Sequence, residues 1–125
     1  MIKGLHHNAY RCRDSEETRR FYEDFLGLRL AGALEIRETK TGRRTQVLHT
    51  FYEMGDGSYL AFFDAPDQPF QFKDQHDFDL HIALEVDQAT LERAYEKGIA
   101  RVARCAESWI MALSIRSISA TRTAT

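Results

Sequence analysis

Apolar and polar side chains alternate along residues 2–13 and predict a strand. Leu5, His7, Ala9 and Arg11 share one face of it, and His6, Asn8, Tyr10 and Cys12 share the other. The period then lengthens. Thr18, Phe21, Tyr22, Phe25 and Leu26 recur at helical spacing and predict an amphipathic helix over residues 15–25. Asp14, with Glu17 three residues on, is a helix-start pattern in which both carboxylates can satisfy free amides; Ser15 is an alternative cap. Gly27 predicts the stop. Residues 28–39 and 44–54 read as strands joined by the polar turn Lys40-Thr41-Gly42-Arg43, and the second is rich in β-branched and aromatic residues. Gly55-Asp56-Gly57 predicts a tight hairpin with a primed turn, which needs positive φ. Residues 58–64 return as a strand with Tyr59, Ala61 and Phe63 on one face and Leu60 and Phe62 on the other.

The pattern then restarts. Residues 65–79 hold both prolines, several charges and three phenylalanines, and read as a linker that lays aromatics across the first unit. In residues 80–86, Leu80, Ile82, Leu84 and Val86 alternate with His81, Ala83 and Glu85, a half-buried strand. Asp87 caps a second helix whose inner stripe is Leu91, Ala94 and Tyr95 and whose stop is Gly98. A chain that begins its own order again predicts two related modules. The expected class is α+β: a βαβββ module over residues 2–64, a linker over 65–79, the start of a second, truncated module over 80–103 and an irregular tail over 104–125. Gly and Pro are absent after Gly98, and the Ser, Thr and Ala content predicts poor order in the tail, with an apolar piece at residues 109–113.

Composition narrows the function classes. The length of 125 residues suits one domain with a real core. A net charge of -2 gives no footprint for nucleic acid. Apolar runs stay short of membrane-spanning length and no basic-then-apolar leader opens the chain, so no membrane partner and a cytoplasmic location are expected. Cys12 and Cys105 stand apart from each other and from other ligand-type residues, and read as small buried hydrophobes. The chemistry-bearing residues are histidines. His7 and His81, 74 positions apart, each sit on the first strand of a module. Spacing alone leaves each of them open as a metal ligand or a sheet histidine. His49, Phe51, Tyr59 and Phe63 are candidates to line an apolar hollow for a small substrate, although core formation explains the aromatics equally well. Arg11, on the His7 face, could meet an anionic group or form a rim salt bridge. His6 reads as structural, His76 as solvated, and Glu53 and Glu85 as rim charges.

The run Leu5-His6-His7-Asn8-Ala9-Tyr10-Arg11-Cys12-Arg13-Asp14, followed by Phe21-Tyr22-Glu23-Asp24-Phe25-Leu26-Gly27-Leu28, resembles the opening of the vicinal oxygen chelate superfamily. That group includes glyoxalase I, extradiol dioxygenases, fosfomycin-resistance thiol transferases and bleomycin-resistance proteins. Asp56-Gly57-Ser58-Tyr59-Leu60-Ala61-Phe62-Phe63-Asp64 and Leu80-His81-Ile82-Ala83-Leu84-Glu85-Val86 fit its fourth and fifth strands, so the resemblance covers roughly residues 2–98. It implies two βαβββ modules around a cup with a divalent metal (Fe, Mn, Zn or Ni) on its floor. The first-strand ligand then falls on His7 and the fifth-strand ligand on His81. The glyoxalase ligand position on the fourth strand, usually Glu, falls on Ala61. That departure argues against a four-ligand site and favours two histidines with one carboxylate. The implied activity is that of a lyase or dioxygenase acting on a small substrate with vicinal oxygens. The alternative is a metal-free binding protein of the bleomycin-resistance kind. The resemblance assigns no catalytic residue.

The family's second module ends in a hairpin, an Asp-Pro-Asn-Gly turn and a strand with the Glu ligand. None of these is visible here. Back-translation of residues 109–124 with permitted codons, read two nucleotides later, allows Asp-His-Gly-Phe-Ile-His-Ser-Ile-Tyr-Phe-Arg-Asp-Pro-Asn-Gly. We therefore expect a frameshift between about Gly98 and Trp109, with loss of strands six to eight and of the carboxylate ligand. A relative carrying the same tail in frame overturns this. The uncovered edge and apolar face imply a homodimer, with exchange of modules as one route.

Overall fold

The structure, a computed structural model, describes residues 1–76 and 78–104. β1 (His7–Cys12) leads into α1 (Ser15–Arg19), which continues without a break as a π-helical stretch (Arg20–Phe25). β2 (Arg29–Glu38), β3 (Arg44–Glu53) and β4 (Tyr59–Asp64) follow, and α2 (Gln88–Arg104) comes last. The four strands form one sheet in the order β1-β4-β3-β2, with β1 parallel to β4 and the other neighbours antiparallel. The parallel pair requires a long crossover, which the helix, β2 and β3 supply. This is the expected α+β class and the expected first βαβββ module. The chain divides into two units, Met1–Phe72 and Lys73–Thr125.

The two sheet faces differ in what they bury. Cys12, Tyr52, Leu60 and Phe62 are buried on the face that the helix covers. The Tyr22 ring lies 4.7 Å from Phe62 and 5.7 Å from Tyr52, centroid to centroid. Burial pushes the Tyr22 and Tyr52 phenols up to about 12 and raises the Cys12 thiol, so all three stay neutral at physiological pH.

The helix is fastened at both ends. The Asp14 carboxylate accepts from the Glu17 amide at 2.7 Å, as the capping pattern predicts. The Ser15 amide donates to Asp64 Oδ2 at 2.8 Å, which ties the helix start to the end of β4. The Leu30 amide donates to Glu23 Oε2 at 2.7 Å, which ties the far end to β2. The π-helical turns were not legible from the apolar period. They are marked by the Leu26 amide reaching back to the Phe21 carbonyl at 2.9 Å, and by Arg19 bonding both Glu23 and Asp24. Asp14→Ala should destabilise the protein by about 1 kcal/mol and Asp14→Asn by much less, as read from urea denaturation midpoints.

Several expectations need correction. β1 begins at His7 rather than Ile2, because β4 offers six partner positions, Tyr59 to Asp64, and before them only the His6 carbonyl joins β4, accepting from the Tyr59 amide at 2.9 Å. The 55–57 turn is not of the primed kind. The Gly57 amide returns to the Met54 carbonyl at 3.0 Å, and only Gly57 takes a positive φ, of 82°. Gly42 does the same in the β2–β3 turn, bonding the Thr39 carbonyl at 2.9 Å with φ 82°. Residues 80–86 form no strand. A strand needs a hydrogen-bonding neighbour, and α2 is the only other element among the described residues of that unit. The alternation persists in burial, with Ile82, Leu84 and Val86 half-buried and His81, Ala83 and Glu85 exposed. Gly98 does not stop α2, which runs to Arg104 with Gly98 buried. One glycine inside a long helix costs only about 1 kcal/mol relative to alanine. Tyr95 is 69% exposed, so the inner stripe is Leu91, Ala94 and Gly98. The expected tail, with its apolar piece and its frameshift, lies outside the described residues.

Candidate functional site

The register places six of the seven candidate residues on the sheet face opposite the helix. His7 pairs with Tyr59, Ala9 with Ala61 and Arg11 with Phe63 across β1 and β4. His49 pairs with Phe63, Phe51 with Ala61 and Glu53 with Tyr59 across β3 and β4. Opposed residues in a ladder point the same way, so His7, Arg11, His49, Phe51, Tyr59 and Phe63 share this open face. His81 belongs to the other unit.

The rings form one cluster. His49 is 7% exposed and stacks on Phe63, with centroids 3.9 Å apart and planes 11° apart. Phe51 lies 4.2 Å from His49 and 5.4 Å from His7, and the two imidazole centroids are 5.9 Å apart. Tyr59 meets Phe51 edge-on at 6.1 Å. His49 Nδ1 lies 3.1 Å from the Phe62 carbonyl oxygen. A carbonyl can only accept, so Nδ1 carries the proton, and in the neutral ring Nε2 is left as an acceptor. Ala61, buried between these rings, keeps the middle of the face free of polar atoms.

His6 is the residue that alternation misplaced. Its Nδ1 lies 2.7 Å from His7 Nδ1 and its ring 5.6 Å from Tyr59. His6 precedes the strand, so the two-residue period does not govern it. The imidazole pair shares one proton between the facing nitrogens, which leaves the Nε2 of His7 as its nitrogen for a further partner. Arg11 turns to the linker. Its Nη2 donates to the carbonyls of Gln68 at 2.6 Å and Ala65 at 3.3 Å, and its guanidinium lies over the Phe70 ring at 5.7 Å. Arg13 repeats the contact two residues on, 5.4 Å over Phe72. Phe70 and Phe72 thus lie against the Arg11 and Arg13 side chains. Glu53 pairs with Arg29, and Glu85 and His76 are exposed.

A divalent ion needs three or more converging donors. Among the described residues no group of three His, Cys, Asp or Glu side chains converges in that way. In the first unit His7 and His49 are the imidazoles of the ring face, and Ala61 offers no donor between them. The donor set does not amount to a metal shell.

The sequence model of the Glyoxalase/Bleomycin resistance protein/Dioxygenase superfamily matches residues 4–107. The chain belongs to that superfamily. Solved structures of similar fold include FosX, a fosfomycin resistance protein of Listeria monocytogenes, as a mutant complexed with Mn(II) and 1S,2S-dihydroxypropylphosphonic acid. It is 17% identical over 81% of this chain and 71% of that chain, with a TM-score of 0.56. FosX from Mesorhizobium loti is 24% identical over 83% of this chain and 70% of its own, with a TM-score of 0.55. A glyoxalase family protein from Enterococcus faecalis is 19% identical over 78% and 74%, with a TM-score of 0.55. At this identity the likenesses show the shared fold. No curated protein sequence matches the chain. No helix among the described residues of this superfamily member is long and apolar enough to cross a membrane.

Proposed function

We propose that the open face of the first unit binds a small molecule with a flat, apolar part and a hydrogen-bond donor. The observation that carries this is the ring cluster of His49, Phe51, Tyr59 and Phe63 with His7 at its edge. Aromatic walls with a few fixed polar atoms are the usual lining of a ligand site. The Nε2 acceptor of His49 would take the ligand's hydroxyl proton in a hydrogen bond, and Phe63 holds that ring in its orientation. Arg11 is a reserve contact for an anionic group, because such a group would have to compete with the two linker carbonyls.

A metal-dependent lyase or dioxygenase is the second reading. The Mn(II) held by the FosX structure of Listeria monocytogenes favours it. In that reading His7 and His81 are the two imidazole ligands, a carboxylate comes from outside the described residues, and a second copy of the chain is one source of it. The ion would supply Lewis-acid chemistry toward vicinal oxygens. Equilibrium dialysis against Mn(II) separates the two readings. One ion per chain, weakened tenfold or more by both His7→Ala and His81→Ala, supports the metal reading. Absence of binding, together with catechol binding that is lost in His49→Ala and kept in His81→Ala, supports the metal-free one. Catechol binding unchanged in His49→Ala and Phe63→Ala sinks the proposed face.

A further inference from the structure

β2 is an edge strand whose segment Glu35-Ile36-Arg37 is its own antiparallel complement. Among the described residues it has one neighbour, β3, so its other side presents an unpaired row of amides and carbonyls. Such an edge is normally blunted by charged side chains, lysine above all, by bulges, by proline or by very short length, and β2 has a bulge between Leu30 and Gly32. β2 is ten residues long and contains neither lysine nor proline. From Ile36↔Val47 to Glu38↔Arg44 the strand advances two positions while β3 advances three, so this irregularity lies on β3. β2 itself runs evenly from Gly32 to Glu38. On its open face it carries Leu34, 57% exposed, and Ile36, half-buried. On its other face Arg37 Nη2 bonds Glu35 Oε2 at 3.0 Å, with the two side chains 79% and 50% exposed.

We infer that this edge pairs with the same edge of a second copy, about a two-fold axis through Ile36. In an antiparallel ladder between copies, opposed residues must point to the same face. The pairs are therefore two residues of like parity with a constant sum. A centre at Glu35 or at Arg37 sets like charges directly opposite each other. A centre at Ala33 sets Arg37 opposite Arg29, and a centre at Leu34 sets Glu35 opposite Ala33 and Arg37 opposite Ala31, so no pair of opposite charge forms across it. The centre at Ile36 sets Glu35 opposite the second copy's Arg37 twice over, Ile36 opposite itself and Leu34 opposite Glu38. Cross-strand pairs of opposite charge and of β-branched residues stabilise a ladder, and like charges destabilise it. The surface lies at the β2 edge, at the opposite end of the strand order from His7, and its Leu34 is the ladder neighbour of His49.

Disulfide trapping tests the register. Residues opposed across a ladder have Cα atoms roughly 4.5–5.5 Å apart, inside the range a disulfide spans. Ile36→Cys should form an intermolecular disulfide under mild oxidation at least tenfold faster than Ala33→Cys, whose copies sit far apart in this register. In the Ile36→Cys background, Glu35→Arg alone and Arg37→Glu alone should each slow trapping about tenfold. An equimolar mixture of the two should restore it, because every cross-strand pair is then of opposite sign. Peptide mapping should find the Ile36→Cys sulfur joined to its own counterpart. Joining to Cys105, equal rates for Ile36→Cys and Ala33→Cys, or trapping indifferent to the charge changes would each overturn the inference. Mn(II) and catechol binding are read separately on the same variants and should not move.

Discussion

Tyr52→Ala will bring the first unit close to unfolding. Tyr52 is fully buried, edge-on to Phe62 at 5.9 Å and tilted against Tyr22 at 5.7 Å. With Phe62, it is one of the two sheet rings against which the helix residue Tyr22 lies. Truncating a buried aromatic destabilises by roughly 3–5 kcal/mol, through the lost transfer energy and the cavity left behind. Domains of this size have only about 5–15 kcal/mol in total. The variant should lose most of its urea resistance and unfold many degrees earlier by far-UV circular dichroism. Phe51→Ala is the comparison, since Phe51 is half-buried on the opposite face and its loss should be markedly smaller. If Tyr52→Ala moves stability by less than about 1 kcal/mol, the helix is not held by this ring and the account of the core is wrong.

The same residues show why so much of the first unit was legible and so little of the second. In β1, β3 and β4 a strict alternation divides the ring face from the helix face, and a one-residue error would reverse every side chain. Tyr59, Phe63, Phe51 and His49 therefore had to share a face once the strands were recognised. Asp14 announced the helix start through chemistry that acts within three residues. The misses lie where a partner decides the outcome. Residues 80–86 alternate as cleanly as β4, yet form no strand, because a ladder also needs a second backbone. His6 sits one residue before pairing begins, so its meeting with His7 has no periodic signal. Arg11 was placed on the correct face, but its engagement with the Ala65 and Gln68 carbonyls depends on a linker whose path local rules do not set. Gly98 is a stop in a short helix and a tolerated flaw in one of seventeen residues. The π-helical turn spans only Arg20–Phe25, too few residues for a period count to tell it from an α-helix.

Ala61→Glu will turn the middle of the ring face into a pH-dependent fault. Ala61 is fully buried beside Ala9 and Phe51, at the position to which the resemblance assigns the glyoxalase ligand. A carboxylate placed there without a partner should destabilise by roughly 3 kcal/mol or more at neutral pH. Burial disfavours the charged form, so the folded-state pKa of the new group rises above its unfolded value of about 4.3. The folded chain then binds more protons than the unfolded one between those two values. Stability falls as pH rises through that window, and the deficit is complete above the folded value. The variant should lie nearest the parent protein at about pH 4 and furthest from it at about pH 8. Ala61→Gln, of similar volume and without charge, should show a deficit independent of pH. A flat difference between the Glu and Gln variants would mean that water reaches this position. Mn(II) then adds a second readout. If His7 faces the same hollow, the ion should restore stability to Ala61→Glu at pH 8, and the restoration should vanish in the Ala61→Glu, His7→Ala double variant. Restoration that survives the loss of His7 would remove it from the ligand set, because the carboxylate would then be finding its counter-charge elsewhere.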